Sequence, residues 1–328
     1  MILQDILLPV LVSFLACLAV GPAVIPLMQK LKFGQIIREE GPAWHAKKSG
    51  TPQMGGVIML VALAATSLIL IRRWEPSAIV GMVLILAGAV IGFIDDFTKH
   101  VMKRNMGLRE WQKFLLQTVV ALAAAWYASV HIGTSIRLPF TTAQWDLGWF
   151  YIPFTAFVIV AAMNSTNLTD GLDGLASGVG LVFFSAMTIL ILYLSTDNVG
   201  ERMLNVSNYL TIAGALAGAC LGFLRFNVFP ARIFMGDTGS LALGAAVAWL
   251  AIVTRTPLWL PVMAAMYMAS TISDIIQIVS YKTRKKRVFK MAPLHHHFEM
   301  LGYPETKIVS MYMIITAVLC LIGLVALR

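Results

Sequence analysis

AGAVIGFIDDFTKH, Ala87 to His100, carries an uncharged apolar run (77–94) directly onto two adjacent aspartates, Asp95 and Asp96. A run of that length and composition is a candidate for crossing a bilayer as a helix. Helix C-termini carry partial negative charge, so two carboxylates there are unfavourable unless a cation compensates. Lys99, Lys103 or a metal ion are the candidates. A solvated helix end would also explain the pair, but acidic residues at membrane depth are functional by default.

The rest of the chain has the same character. Of 328 residues, 59% are hydrophobic and only 12% charged, and the mean hydropathy is +0.80. Soluble domains carry about a quarter charged residues, so a polytopic membrane protein is expected rather than a soluble domain with an anchor. The opening MILQDILLPV has no basic flank, and no signal peptide is expected there. Cys17, Cys220 and Cys320 sit in apolar runs and read as small core hydrophobes.

Apolar segments can be drawn at 6–29, 54–71, 77–94, 114–131, 151–168, 175–194, 206–226, 239–253, 258–281 and 307–327. Ten spans leave two alternating sets of loops. One set, with its borders, holds 19 of the 25 lysines and arginines; the other keeps Arg72, Arg73, Arg137, Arg202, Arg255 and Arg328. Cytoplasmic loops carry the basic excess. The expected architecture is therefore an all-α, ten-span membrane protein, one transmembrane domain over 1–328, with both termini on the periplasmic side. The net charge of +9 follows from topology and anionic lipid contact. No nucleic-acid module accompanies it.

Polar residues gather at the cytoplasmic ends. Span three delivers Asp95 and Asp96. Span five ends in NSTNLTDGLDG, with Asn164, Asn167, Asp170 and Asp173 spaced by three, which keeps neighbours on adjoining parts of one helix face. Gly171 and Gly174 then interrupt the helix. Span seven runs on through Asn227 to FMGDTGS, where Phe234 could offer an aromatic face to a base and Asp237 would suit an N-cap. Before the last span comes PLHHHFE, with His295, His296 and His297. Three consecutive imidazoles do not share a helix face, so a three-ligand metal site is not expected from them; they suit phosphate and sugar oxygens instead. Carboxylates beside many cations suggest Mg²⁺ with a phosphorylated substrate.

GTPQMGG (50–56), GFIDDF (92–97), NLTDGLDGLASG (167–178), FPARIFMGDTGS (229–240) and PLHHHFE (293–299) resemble, in order and over nearly the whole chain, the prokaryotic phospho-N-acetylmuramoyl-pentapeptide transferases. The DD, NxxNxxDG and GDxGS elements are similar to the wider polyprenyl-phosphate N-acetylhexosamine-1-phosphate transferase superfamily; PLHHHFE is similar to the muramoyl-pentapeptide branch. GPAWHAKKSG (41–50) departs locally from the family pattern and leaves open which of Lys47 and Lys48 reaches substrate.

The resemblance implies transfer of phospho-MurNAc-pentapeptide from UDP-MurNAc-pentapeptide to undecaprenyl phosphate, giving lipid I and UMP, with Mg²⁺ required and a homodimer formed in the bacterial plasma membrane. It implies Asp237 as the Mg²⁺ ligand, Asp95 as base or nucleophile, and Asp96 assisting. Asn167, Asp170, Gly171, Asp173 and Phe234 would form the uridine pocket. Lys47, Lys48, Lys99, Lys103, Lys113, Asn164, Asn227 and the three histidines would face phosphate and sugar. Two rivals are a sister transferase using UDP-GlcNAc and a secondary transporter. Transporter sites lie near the midplane, often between inverted repeats. Here no repeat is found and the acidic groups gather at one face.

Overall fold

The computed structural model describes residues 2–31, 50–101, 107–196 and 206–327. Its helices are α1 (Ile2–Lys30), α2 (Gly56–Leu70), α3 (Pro76–Val101), α4 (Glu110–His131), α5 (Tyr151–Thr169), α6 (Leu175–Thr196), α7 (Val206–Asn227), α8 (Gly236–Val253), α9 (Leu260–Met263), α10 (Ala265–Arg284), α11 (Leu294–Met300) and α12 (Glu305–Val325). Eight of them are long and apolar enough to cross a membrane, as a multi-pass membrane protein requires. Two expected spans take other forms. The segment around 54–71 is a 15-residue helix, α2. The expected span 258–281 is broken: a short stretch, Pro257–Met263, meets α10 at 81°. Two prolines, Pro257 and Pro261, lie in the short arm. Met263 is wholly buried and stands against Gly323 of α12. Packing thus anchors the short arm while α10 leaves at an angle.

Lipid tails are as apolar as leucine, so helices associate through close packing of small residues rather than through hydrophobicity. The order of burial follows. The helix α8, GDTGSLALGAAVAWLAIV, is buried along almost its whole length and α7 nearly so, whereas α1, α4 and α12 turn leucine, valine and phenylalanine outward. Gly214, Gly218 and Gly222 make a stripe on α7 facing α1, and a Cβ at Gly218 would come 2.2 Å from the Val10 carbonyl oxygen. On α3, a Cβ at Gly92 would come 2.1 Å from the carbonyl oxygen of Asp237. Backbone contact between α3 and α8 at this point sets the site described below. The three cysteines are free and buried.

One feature has no helical period to announce it. Between α4 and α5 an antiparallel hairpin pairs β1 (Ser135–Arg137) with β2 (Gln144–Asp146), Ile136 opposite Trp145. It is tied to the ends of other helices: Arg137 N–H donates to the Arg255 carbonyl at 2.8 Å and Phe140 N–H to Ala326 at 2.9 Å. The far ends of α4, α8 and α12 therefore share one side of the bundle, opposite the acidic groups.

Candidate active site

Four helix ends converge. The C-terminal part of α3 brings Asp95, Asp96 and Lys99, the first turn of α4 brings Lys113, the end of α5 brings Asn167, and the start of α8 brings Asp237. Ligand atoms of Asp95, Asp96 and Asp237 lie within 4.8 Å of one another. Lys99 Nζ stands 2.6 Å from Asp95 Oδ2, 3.8 Å from Asp96 Oδ1 and 3.1 Å from Asp237 Oδ2. Lys113 Nζ is 2.6 Å from the same Asp237 oxygen and donates to Asn167 Oδ1 at 3.2 Å. Asn167 Nδ2 completes the ring, donating to Asp237 Oδ1 and to Ser240 Oγ, both at 2.9 Å. The cation that Asp95 needs at a helix C-terminus is Lys99, one turn further along the same helix.

The two adjacent aspartates have different jobs. Asp95 Oδ1 accepts from the Leu108 backbone N–H at 2.9 Å, while its other oxygen meets Lys99. Asp96 turns toward α8: Oδ1 accepts from Asp237 N–H at 3.2 Å, and Oδ2 accepts from Thr238 N–H at 3.0 Å and the Thr238 hydroxyl at 2.8 Å. The Gly236 N–H donates to the Asp170 carboxyl. The first three amides of α8, which have no partner within the helix, are thus capped by carboxylates from α3 and from the turn after α5. This corrects the expectation that Asp237 caps its own helix. Asp237 is the second helical residue, its backbone is held by Asp96, and its side chain is released to face the lysines. Gly236 makes the turn possible: its φ is +73°, and a Cβ there would stand 2.8 Å from Asp96 Oδ2. Burial pushes the Asp170 carboxyl well above the usual range, and the charges of Asp237, Asp96 and Asp173 push the same way.

The donor set suits a hard divalent cation. Three carboxylates face two ammonium groups, leaving a deficit of one positive charge, and Mg²⁺ takes oxygen ligands of this type. Asp96 has both oxygens committed to α8. Asp237 and Asp95 each have one oxygen, Oδ2, that meets lysine ammonium groups rather than a backbone amide, so these are the carboxylates able to turn to a cation.

Beside this cluster lies a second group. Asp173 Oδ2 accepts from Ala231 N–H at 2.9 Å, and Asp173 N–H donates to Glu305 Oε1 at 2.5 Å. Asn227 is buried; its carbonyl accepts from Gly174 N–H and the Ser177 hydroxyl, each at 3.1 Å, and its NH₂ donates to the Ile233 carbonyl at 3.0 Å. It braces the loop carrying Phe234, a half-buried ring. The GTPQMGG segment braces the same loop from the other side: Phe234 N–H donates to Pro52, Gly55 N–H to Phe234, and Gly56 N–H to Met235, at 2.7–2.9 Å. His295 is wholly buried, with Nε2 2.2 Å from where a Cβ on Gly171 would stand. His296 and His297 are partly exposed neighbours on α11. Lys47, Lys48 and Lys103 lie outside the described residues.

Asn164 stands one turn deeper than Asn167 and donates to Gln117 Oε1 at 2.7 Å. Gln117, fully buried, is one of the residues that sequence reasoning passed over, although an isolated glutamine in an apolar span was a signal. Thr238, Ser240, Gln277, Glu299 and Glu305 were missed too. Hydroxyls and lone polar residues near helix ends are common, so nothing in sequence singled them out.

Comparison with known proteins identifies the family. The family model described as glycosyl transferase family 4 matches residues 77–255, which include all the site residues from α3, α4, α5 and α8. A phospho-N-acetylmuramoyl-pentapeptide-transferase of Clostridium perfringens (strain 13 / Type A) is 45% identical over 327 residues, covering 100% of both chains. The protein of that name from Clostridium botulinum (strain Alaska E43 / Type E3) is 44% identical over 322 residues, covering 98% of this chain and 96% of its own. At that identity over the full length, with acidic, amide and lysine groups gathered from four helices at one end of the bundle, the chain belongs to the phospho-N-acetylmuramoyl-pentapeptide-transferase family.

Proposed function

We propose that this protein transfers phospho-MurNAc-pentapeptide from UDP-MurNAc-pentapeptide to undecaprenyl phosphate, releasing UMP and forming lipid I, the lipid-linked precursor of peptidoglycan. The observation that carries the reading is the Asp95–Lys99–Asp237–Lys113 cluster at the end of apolar helices. An acceptor with a lipid tail can lie in the bilayer there and a soluble donor can arrive from the aqueous side. The chain would work as one transmembrane domain over 1–328, crossing ten times. The shorter α2 and the bent Pro257–Arg284 pair would supply the two crossings beyond the eight long helices. The basic bias supports termini on the periplasmic side and a cytoplasmic site in the plasma membrane. A homodimer is part of the same proposal.

In the reaction, an oxygen of the lipid phosphate attacks the sugar-bearing phosphorus of the donor. The bond between that phosphorus and the bridging oxygen breaks, and UMP leaves with the electron pair. Asp95, held by the Leu108 amide, would keep the lipid phosphate ionised. Lys99 and Lys113 would swing from the carboxylates to phosphate oxygens, where charge gathers. Mg²⁺, held by Asp237, would neutralise negative charge on the diphosphate. Asp96 would act by holding Asp237 in place. Asn167, Asp170, Gly171, Asp173 and Phe234 would form the uridine side, with Phe234 stacking on uracil and Asn227 bracing its loop. Lys47, Lys48, Lys103 and Asn164 would lie toward phosphate and sugar, His296 and His297 at the rim, and His295 behind them.

The test incubates detergent-solubilised protein with undecaprenyl phosphate, Mg²⁺ and either UDP-MurNAc-pentapeptide or UDP-GlcNAc. UMP release and a lipid product with the first donor alone are expected. Product from UDP-GlcNAc alone would establish the sister reaction, and no product from either would refute both.

A further inference from the structure

The segment between α10 and α12 is not part of the carboxylate cluster, yet it is fastened to the site's edge with unusual thoroughness. Gln277 on α10 uses its whole amide on the following loop: Oε1 accepts from the N–H groups of Val288 and Phe289, and Nε2 donates to the Phe289 carbonyl, all at 3.0 Å. Ser273 Oγ accepts from Leu294 N–H at 2.9 Å, at the start of α11. His295 is packed on Gly171, beside Asp170. Its ring centroid is 4.3 Å from that of His296. The position of His296 relative to the turn after α5 is therefore set by α10 on one side and by Gly171 on the other.

Two neighbouring histidines on α11 are then given opposite polarity. Lys290 N–H donates to His297 Nδ1 at 3.1 Å, which makes Nδ1 an acceptor and places the proton of the neutral ring on Nε2. His296 Nδ1 meets Glu299 Oε2 at 2.6 Å. An ionised carboxylate only accepts, so here the proton sits on Nδ1. Glu299 is 5% exposed, whereas the His296 side chain keeps 15% of its surface. A buried carboxylate behind a partly exposed imidazole is the arrangement that fixes ring orientation and tautomer for work at the other nitrogen. A surface pair three residues apart on a helix would need neither the burial nor the short distance.

We infer that Glu299 is a positioning residue for donor recognition: it sets the rotamer and the Nδ1 proton of His296, so that Nε2 is presented as an acceptor for a sugar hydroxyl or amide N–H of the nucleotide donor. The inference rests on the transferase reading for the identity of that donor. In this assignment Glu299 itself touches no substrate and acts through His296.

A double-mutant cycle tests it, reading the affinity for UDP-MurNAc-pentapeptide by calorimetry and KM by turnover. Loss of a residue that orients a ligand-binding histidine costs about 10- to 100-fold in affinity in metal sites, and a comparable loss is expected here. His296→Ala and Glu299→Ala should each weaken donor binding to that degree, and the double variant should be no worse than His296→Ala. Glu299→Gln retains an oxygen to accept from Nδ1 and should recover most of the affinity. The KM for undecaprenyl phosphate should stay near the unmodified value in all of them. Losses that multiply in the double variant, a Gln variant as weak as the Ala variant, or equal losses for both substrates would overturn the assignment. Failure of the unmodified protein to turn over would sink the transferase reaction, whereas the pattern of donor affinities by itself decides the role of Glu299.

Discussion

Replacing Asp96 separates a structural carboxylate from a chemical one. In the native protein its two oxygens accept from the Asp237 and Thr238 amides and the Thr238 hydroxyl, all at the buried start of α8. Asparagine offers one acceptor oxygen where there were two, and its NH₂ must point at the amide it cannot serve. One buried N–H is left unpaired, a cost of about 1–3 kcal/mol, in line with about 0.5–2 kcal/mol for losing a helix cap. Alanine strands both amides and should cost more. The start of α8 carries Asp237, so its relaxation displaces the carboxylate facing Lys99 and Lys113. A displacement of about 1 Å in a reacting constellation is worth roughly 100-fold in rate. Asp96→Asn should therefore melt a few degrees lower in detergent and lose about two orders of magnitude in turnover, with weakened Mg²⁺ binding. Asp95→Asn, whose oxygens support no helix end, should lose turnover without the drop in melting temperature. If Asp96→Asn melts like the unmodified protein and binds Mg²⁺ normally while turnover disappears, Asp96 acts in the chemistry and the capping argument is wrong.

Asp237→Asn should abolish turnover and sharply weaken Mg²⁺ binding in the presence of donor, whereas Asp95→Asn should keep the metal; the reverse pattern in parallel titrations would exchange the two roles. Phe234→Ala should weaken donor binding about 5- to 150-fold, since a stacked aromatic is worth roughly 1–3 kcal/mol, with little change for the lipid acceptor; an unchanged donor affinity would refute stacking. Burial raises the Asp170 pKa in the folded protein above its unfolded value of about 4, so this group's contribution to stability falls as pH rises through its elevated folded pKa. Asp170→Asn keeps an acceptor for the Gly236 amide and should flatten that slope in metal-free melts between pH 4.5 and 8; a parallel pH profile for both proteins would refute it. Cysteines at Lys286 and Thr142 should label from opposite sides of the membrane, Lys286 from the cytoplasm, and labelling from one side would end the ten-crossing topology.

Much of the site was legible because its parts are local. The Asp95–Lys99 pair could be anticipated from a helix end with two carboxylates and a lysine one turn on. Of the polar run NSTNLTDGLDG, Asn164 and Asn167 lie on α5 and Asn167 does meet Asp237, but the helix ends at Thr169 and leaves Asp170 and Asp173 in the turn beyond it. Reading failed where a partner came from far along the chain. Asp237 looked like the cap of the helix it begins, yet that cap comes from Asp96, 141 residues earlier. Asn227 looked like a phosphate ligand, yet it braces the Phe234 loop. The hairpin at 135–146 and the 81° break before α10 were invisible. The first is held by backbone bonds to two distant helix ends, and the second by packing of Met263 on α12.

The sequence by itself determined that the chain is a bundle of apolar helices with its polar chemistry gathered at one end. Hydrophobic length, helical period and the one-sided distribution of lysine and arginine are properties of contiguous residues, and they need no knowledge of neighbours. Tertiary structure alone decided which aspartate does what. Asp95 and Asp96 are identical in type and adjacent, but about 100° of helical rotation aims one at Lys99 and the other at the unpaired amides of α8. Those amides stand where they do because Gly92 admits the α8 backbone against α3.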